Sequence, residues 1–272
     1  NFSAPKKLPL TSAIQNRILA RLPFTLTPSQ EHVFREIVAD LTAPHPMNRL
    51  LQGDVGSGKT AVAVAAMLLC VAHGAQAALL APTEVLAEQH ARVFSAMLAN
   101  SRVKIGLLRG GEAQLYICDN NNSSAGQMRS MALTRDDFLQ KLANGDLHIA
   151  IGTHALLEES VKFKRLSLMV VDEQHKFGVS QRHALRRKGV SPHVLVMTAT
   201  PIPRTLTLTL YGDLDVSRIS EPPPGRGEII TKWVKEAERE KAYRLIIDEA
   251  RRGHVSYVVL PRINGEDVAD ID

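Results

Sequence analysis

The stretch Gly53-Asp54-Val55-Gly56-Ser57-Gly58-Lys59-Thr60 follows the spacing G-x-x-x-x-G-K-[ST]. Its glycines permit tight backbone turns and leave successive N–H groups aimed into one hollow, an arrangement that suits an anion. Leu50 and Leu51 precede it and the alanine-rich run Ala61 to Cys70 follows, so strand, loop and helix are predicted in that order. The helix contributes the positive end of its dipole, Lys59 is expected to reach the β and γ phosphates, and the Thr60 hydroxyl is expected to ligate magnesium. Further along, Val170-Val171-Asp172-Glu173 closes an apolar run with two acids. Beside a phosphate loop, Asp172 suits the water shell of a magnesium ion, and Glu173 suits orienting and deprotonating an attacking water. Without that loop, the same pair could merely cap the next helix.

These residues need elements to hold them. Thr27 is an expected N-cap with Pro28 at the first helical position, and Val33, Ile37, Val38 and Leu41 fall on one face of the helix that follows. Phe24 ahead of the cap and Gln30 in the first turn admit two readings. They form a hydrophobic staple and a solvated amide, or an adenine clamp in which the ring packs and the amide pairs with N6 and N7; a position ahead of the phosphate loop favours the clamp. Strands are predicted at Gln76 to Ala81, Val103 to Leu108, His148 to Ile151, Leu166 to Val171 and Val194 to Met197, with helices at Val85 to Leu98 and Arg135 to Ala143. Gly110 to Gly126 reads as an exposed loop, because paired glycines are followed by the polar run Asp119 to Ser124. Short, continuously apolar strands alternating with helices imply an α/β fold with a mainly parallel sheet covered on both faces. Ligands of such sheets gather at the carboxyl ends of the strands. Thr83 and Glu84, then Gly152-Thr153-His154, Asp172-Glu173-Gln174-His175 and Thr198-Ala199-Thr200 all lie at such ends.

The 272 residues suffice for one core and part of a second. Residues 1–22 read as a connecting segment with a helix from Ser12, 23–220 as the main domain, and the proline-rich 221–227 as a linker. Residues 228–272 read as the start of a second α/β domain: strand Glu228 to Val234, helix Glu236 to Arg252 with Leu245 and Ile246 inward, Gly253 as its cap, and strand Val255 to Leu260. A net charge of +5 permits a polyanionic partner without demanding one. Cys70 and Cys118 are too far apart for a C-x-x-C site and read as incidental thiols of a reducing compartment. No apolar run approaches the roughly 18 residues of a membrane span, and no signal peptide is recognised, so the protein is expected to be intracellular, although a start at Asn1 departs from a native one.

Taken in order, Gln30, the phosphate loop, Pro-Thr-Glu, Gly-Thr-His, Asp-Glu-Gln-His and Thr-Ala-Thr resemble the motifs of the first RecA-like motor domain of superfamily 2 helicases. The strings Leu51 to Thr60, Ala81 to His90, Asp172 to Arg182, Met197 to Leu206 and Pro223 to Arg226 are similar to the RecG family of bacterial branch-migrating DNA helicases. The transcription-repair coupling factors share the Thr-Ala-Thr-Pro-Ile-Pro-Arg-Thr string, but usually carry Asp-Glu-Glu-His where this chain has Asp-Glu-Gln-His.

The resemblance implies a RecA-like P-loop NTPase domain and the incomplete start of a second. It implies ATP and Mg2+ as cofactors. Phe24, Gln30 and residues Gly53, Asp54, Val55, Gly56, Ser57, Gly58, Lys59 and Thr60 would bind nucleotide, Thr60 and Asp172 metal, with Lys59, Asp172 and Glu173 catalytic. Gln174 and His175 would sense the γ-phosphate. Thr83, Glu84, Gly152, Thr153 and His154 would line a track for branched DNA, gripping phosphates without reading sequence. Thr198, Thr200, Gln181, Arg182 and Arg204 would couple hydrolysis to domain movement. A monomeric, cytoplasmic, nucleoid-associated bacterial enzyme is implied, or an organellar one in a eukaryote. The family's wedge domain and arginine finger have no counterpart in the sequence, so weak hydrolysis is expected from this stretch alone. A coupling-factor translocase and a non-catalytic nucleic-acid-binding module are the alternatives.

Overall fold

The computed structural model describes residues 7–99, 101–118, 128–172, 192–200, 214–221 and 230–259. The chain separates into two compact units, Asn1–Pro224 and Gly225–Asp272. The first unit opens with helix α1 (Ser12–Leu19), helix α2 (Pro28–Thr42), strand β1 (Asn48–Gly53), helix α3 (Lys59–Ala72), strand β2 (Gln76–Leu80) and helix α4 (Glu84–Met97). Strands β3 (Ile105–Arg109), β4 (Glu112–Cys118) and β5 (Met128–Leu133), helix α5 (Arg135–Asn144), strand β6 (Ile149–Gly152) and a 3-10 turn (His154–Leu157) come next. Strands β7 (Leu166–Asp172), β8 (His193–Thr198) and β9 (Asp215–Ile219) complete the sheet, whose order is β5-β4-β3-β6-β2-β7-β8-β1-β9. Pairing is parallel from β3 through to β9 and antiparallel at β3–β4 and β4–β5.

Successive strand residues point to opposite faces, so each strand feeds two cores. Leu51, Leu79, Ile151, Val170 and Met197 pack with side chains of α1 to α4, while Leu50, Leu80, Val171 and Val196 pack with Phe138 and Leu142 of α5. Helix α3 is buried continuously from Ala61 to Cys70, as an almost wholly apolar helix must be. Burial there pushes the Cys70 thiol up to about 12, so it stays protonated and inert. Helix α5 approaches β3 closely at Gly106, where a Cβ would lie 2.6 Å from the Phe138 ring and 2.8 Å from Leu147. Residues ahead of α2 also join the core: Leu8 and Ile18 are buried, and Leu8 N donates to Leu41 O at 3.0 Å.

Three expectations need correction. The loop read over Gly110 to Gly126 holds β4, paired antiparallel with β3 and with β5. The period-two signal of Ala113, Leu115 and Ile117 is present, but glycine and asparagine neighbours mask it, and pairing with β3 supplies the missing support. Strand β9 was not foreseen. It pairs with β1 from Arg49↔Asp215 to Gly53↔Ile219, so a run with little apolar character is recruited by an available edge. In the second unit, helix α6 (Arg239–Arg251) forms after a 3-10 turn at Glu236–Glu238, and Gly253 (φ +83°) closes it through Gly253 N to Ala250 O and His254 N to Glu249 O. The flanking stretches 230–235 and 254–259 are not strands, however, and Leu245 is exposed rather than inward. A strand requires a neighbour to satisfy its backbone, and none pairs with them among the described residues.

A buried histidine makes this fold acid-sensitive. His193 is 1% exposed at the start of β8; its Nδ1 accepts from Met47 N at 3.0 Å, which assigns the proton to Nε2, and Nε2 has no partner among the described residues. Burial, opposed by the field of Asp40 and assisted by that of His45, lowers its pKa from 6.5 to about 4. Above pH 6.5 the imidazole is neutral whether folded or unfolded and contributes no difference. Between 6.5 and 4 the unfolded chain takes up a proton that the folded chain refuses, so stability falls as pH falls, by about 3 kcal/mol in total. Denaturant midpoints at pH 7 and pH 4.5 should therefore fall further apart for the native chain than for His193→Asn. Parallel loss in both would remove His193 as the cause.

Candidate active site

Strand β1 ends at Gly53 and the chain turns through the phosphate loop into α3. Gly56 and Gly58 take φ values of +79° and +86°, which only glycine adopts without strain. Ser57 N donates to Asp54 O at 3.1 Å and the Asp54 carboxylate accepts from Val55 N at 2.8 Å, so the loop is folded by its own bonds. Among the described residues no side chain caps α3, so its first amides are left without a capping acceptor at the loop. Lys59 Nζ donates to Gly53 O at 2.7 Å and to Asp54 O at 2.9 Å, which holds the ammonium across the loop.

Gln30 ties α2 to this loop. Thr27 and Gln30 form a reciprocal capping box: Gln30 N donates to Thr27 Oγ1 at 3.3 Å and Thr27 N donates to Gln30 Oε1 at 3.0 Å. The amide nitrogen of Gln30 donates to Ser57 O at 2.9 Å. A Cβ at Gly58 would fall 2.3 Å from that nitrogen, so the loop closes on the amide only because glycine stands there. Gln30 is 8% exposed and Phe24 is 41% exposed. The amide keeps one N–H and one oxygen lone pair beyond these bonds, enough for one further bidentate contact.

Asp172 ends β7. In the register Leu51↔Met197 and Met197↔Asp172 it stands level with Leu51, near the end of β1, two strand spacings or roughly 10 Å across the sheet. Its Oδ2 is 2.6 Å from His90 Nε2 on α4. Strand β8 lies between, and its end is tied to β1: Gln52 Nε2 donates to Thr200 O at 3.2 Å, Thr198 and Thr200 hydroxyls are 2.9 Å apart, and Thr200 N donates to Thr198 Oγ1 at 3.2 Å. On the other side of β7, β2 and β6 pair through Leu80↔Gly152, so Thr83 and Glu84 leave the sheet beside Gly152, Thr153 and His154. Thr83 caps α4 by accepting from Leu86 N at 3.3 Å, and Thr83, Glu84 and His154 are exposed. The carboxyl ends of neighbouring strands thus gather Lys59, Thr60, Thr198, Asp172, Thr83 and Gly152 along one edge. Glu173, Gln174, His175, Gln181, Arg182 and Arg204 lie outside the described residues.

Sequence reasoning passed over His90 and Gln52. Gln52 carried a signal, a polar residue in an apolar strand; His90 closes the Ala81 to His90 string but carried no sign of its contact, because its partner is 82 positions away.

The site fits a magnesium nucleotide. The glycine cradle is too tight for a Cβ at Gly53, which would meet Ser57 Oγ at 2.5 Å, or at Gly58. Thr60 and Asp172 are hard oxygen donors, and magnesium usually takes only one or two protein ligands beside phosphate and water. Among the described residues no group of three or more His, Cys, Asp or Glu could hold a metal alone.

The model of the DEAD/DEAH box helicases matches residues 27–209, from the cap of α2 past the end of β8. The chain belongs to this family. It is 45% identical over 255 residues to the ATP-dependent DNA helicase RecG of Bacillus subtilis (strain 168), which covers 94% of the chain and 35% of that protein. It is 47% identical over 277 residues to RecG of Mycobacterium bovis, covering 99% of the chain and 36% of the relative. The chain therefore spans about a third of the length of the curated relatives it matches. A solved structure of RecG bound to a three-way DNA junction superposes with a TM-score of 0.71 at 37% identity, over 91% of this chain and 31% of that one. The DUF1998 helicase MrfA bound to DNA, 19% identical with a TM-score of 0.55, shares the fold. A RecA-like helicase sheet is thus the fold of this family member. Among the described residues no helix is long and apolar enough to cross a membrane.

Proposed function

We propose that the chain is the ATP-binding motor segment of a RecG-type bacterial DNA helicase, which couples ATP hydrolysis in the cytoplasm to remodelling of forks and Holliday junctions. The single observation that carries this reading is the shared edge. Lys59 in its glycine cradle and Asp172 at the end of β7 stand on the same rim of one sheet. The similarity to RecG proteins, one of them solved on a three-way DNA junction, supports branched DNA as the partner.

In this reading residues 23–220 form the motor domain, 221–227 a linker and 228–272 the start of a second RecA-like domain. The amides at the start of α3 and the Lys59 ammonium bind the β and γ phosphates. Thr60 and Asp172 hold magnesium, which when bound neutralises phosphate charge. Glu173 orients and deprotonates the water, and Gln174 and His175 sense the γ-phosphate. Phe24 and Gln30 hold the adenine, the latter through the N–H and lone pair left over from its capping bonds. Thr83, Glu84, Gly152, Thr153 and His154 carry the phosphates of DNA, while Thr198, Thr200, Gln181, Arg182 and Arg204 couple the two sites.

Competition against a fluorescent ATP analogue in magnesium tests the reading. ATP should displace it, and GTP should need roughly tenfold more, since a purine presenting O6 in place of N6 mismatches the Gln30 amide. A three-way junction should compete with duplex of the same length for the chain. Absence of any saturable nucleotide binding would sink the proposal.

A further inference from the structure

The contact between His90 and Asp172 belongs to neither motif's expected role. His90 lies on α4, six residues beyond Glu84 and thus about 9 Å along the helix from the exposed end that carries Thr83 and Glu84. Its ring is held from behind by Phe94, one turn further on, with centroids 6.2 Å apart and planes at 79°. Phe94 is fully buried in the core beneath α4, so the imidazole has a packed backstop on one side and a carboxylate on the other. The His90 and Asp172 side chains are 13% and 15% exposed. Among the described residues His90 is the partner of the Asp172 carboxylate and occupies Oδ2. An ionised carboxylate only accepts, so Nε2 is the donor.

We propose that His90 is a positioning residue for the metal carboxylate: by fixing Oδ2 it turns Oδ1 toward the nucleotide's metal and makes the end of β7 move with helix α4. The inference rests on the reading of Asp172 as a magnesium residue. Carboxylates around metals are commonly held by such outer partners, and losing one costs on the order of 10–100-fold in metal affinity. Because the same helix begins at Thr83 and Glu84, a shift of α4 at its exposed end reaches Oδ2 through one rigid element and one hydrogen bond. The sheet alone supplies no such connection, since β2 and β7 are joined by backbone pairing that leaves side-chain torsions free.

The test is a magnesium titration of fluorescent ADP binding, with Lys59→Ala and an EDTA series as references and circular dichroism to verify folding. His90→Ala should raise the magnesium concentration at half-binding about tenfold while leaving the affinity in EDTA unchanged. The amide nitrogen of glutamine overlies Nε2, whereas that of asparagine reaches only the place of Nδ1, so His90→Gln should restore the native titration and His90→Asn should not. This pair also decides the matter if the alanine variant does not fold. Superposable titrations for native, Gln and Asn chains would overturn the role of His90 while leaving nucleotide binding intact. Nucleotide binding that ignores magnesium and Lys59 in the native chain would instead overturn the reading beneath it, and the inference with it.

Discussion

Lys59→Ala is expected to remove saturable binding of a magnesium ATP analogue, weakening it by roughly thirtyfold to several thousandfold. That range corresponds to the roughly 2–5 kcal/mol lost when one partner of a hydrogen-bonded charge pair is truncated. Two things go together in this variant. The side chain supplies the one cation that the described loop carries, and its bonds to Gly53 O at 2.7 Å and Asp54 O at 2.9 Å brace the loop from within. The bond to Asp54 O is exposed and that to Gly53 O only part-buried, so thermal stability should change far less than binding. Titration calorimetry beside a thermal melt separates the two quantities. An affinity within threefold of the native value would mean that the glycine cradle is not the phosphate site.

The largest effect on stability is expected at a residue outside the site. Arg49 on β1 is 8% exposed and meets Asp40 Oδ2 at 2.6 Å, Ser217 Oγ at 2.9 Å, Glu36 at 3.7 Å and Asp215 at 4.0 Å. Burial works against its charge. The bond to Asp40 and the fields of Asp40, Asp215 and Glu36 outweigh burial and raise its pKa. The guanidinium therefore joins α2, β1 and β9, three elements brought together only by the fold. Arg49→Ala should cost about 3–5 kcal/mol, because it leaves the mostly buried Asp40 facing Glu36 without a cation. Replacing both partners, as in Arg49→Met with Asp40→Leu, should recover part of that loss, since the most buried charge pair is gone while Glu36, Asp215 and Ser217 remain beside the site. Urea denaturation of the single and double variants measures it; a loss below 1 kcal/mol in Arg49→Ala would show that the network is screened by solvent.

The glycine-rich loop and the helices and parallel strands around it were legible because their signals are local. The glycine spacing from Gly53 to Thr60, the Thr27-Pro28 cap and the continuous apolar runs at Gln76, Leu166 and Val194 each depend on neighbours in sequence, and α3, α2, β2, β7 and β8 form there. Even the placement of the polar clusters followed, because a parallel sheet sends every strand's carboxyl end to one rim. What escaped depends on partners far along the chain. Strand β9 exists because the distant β1 offers an edge; β4 differs, since its partner β3 lies just across Gly110-Gly111 and the polar run from Asp119 obscured that local pairing. In the second unit the reverse holds: residues 230–235 and 254–259 have strand-forming composition and no described edge to pair with.

Side-chain partnerships divide the same way. Gln30 with Thr27 could be read from a spacing of three, but its bond to Ser57 O could not. Neither could the contacts of His90 with Asp172, Arg49 with Ser217 or Gln52 with Thr200. The class of sheet, the glycine-rich loop and the ends of strands where the polar clusters stand could be read from short stretches, since hydrophobic period and turn geometry act over a few residues. The recruitment of β9 and the side chains that hold Gln30 and Asp172 follow from the folded chain, because burial and hydrogen bonding there join segments that no short-range pattern connects.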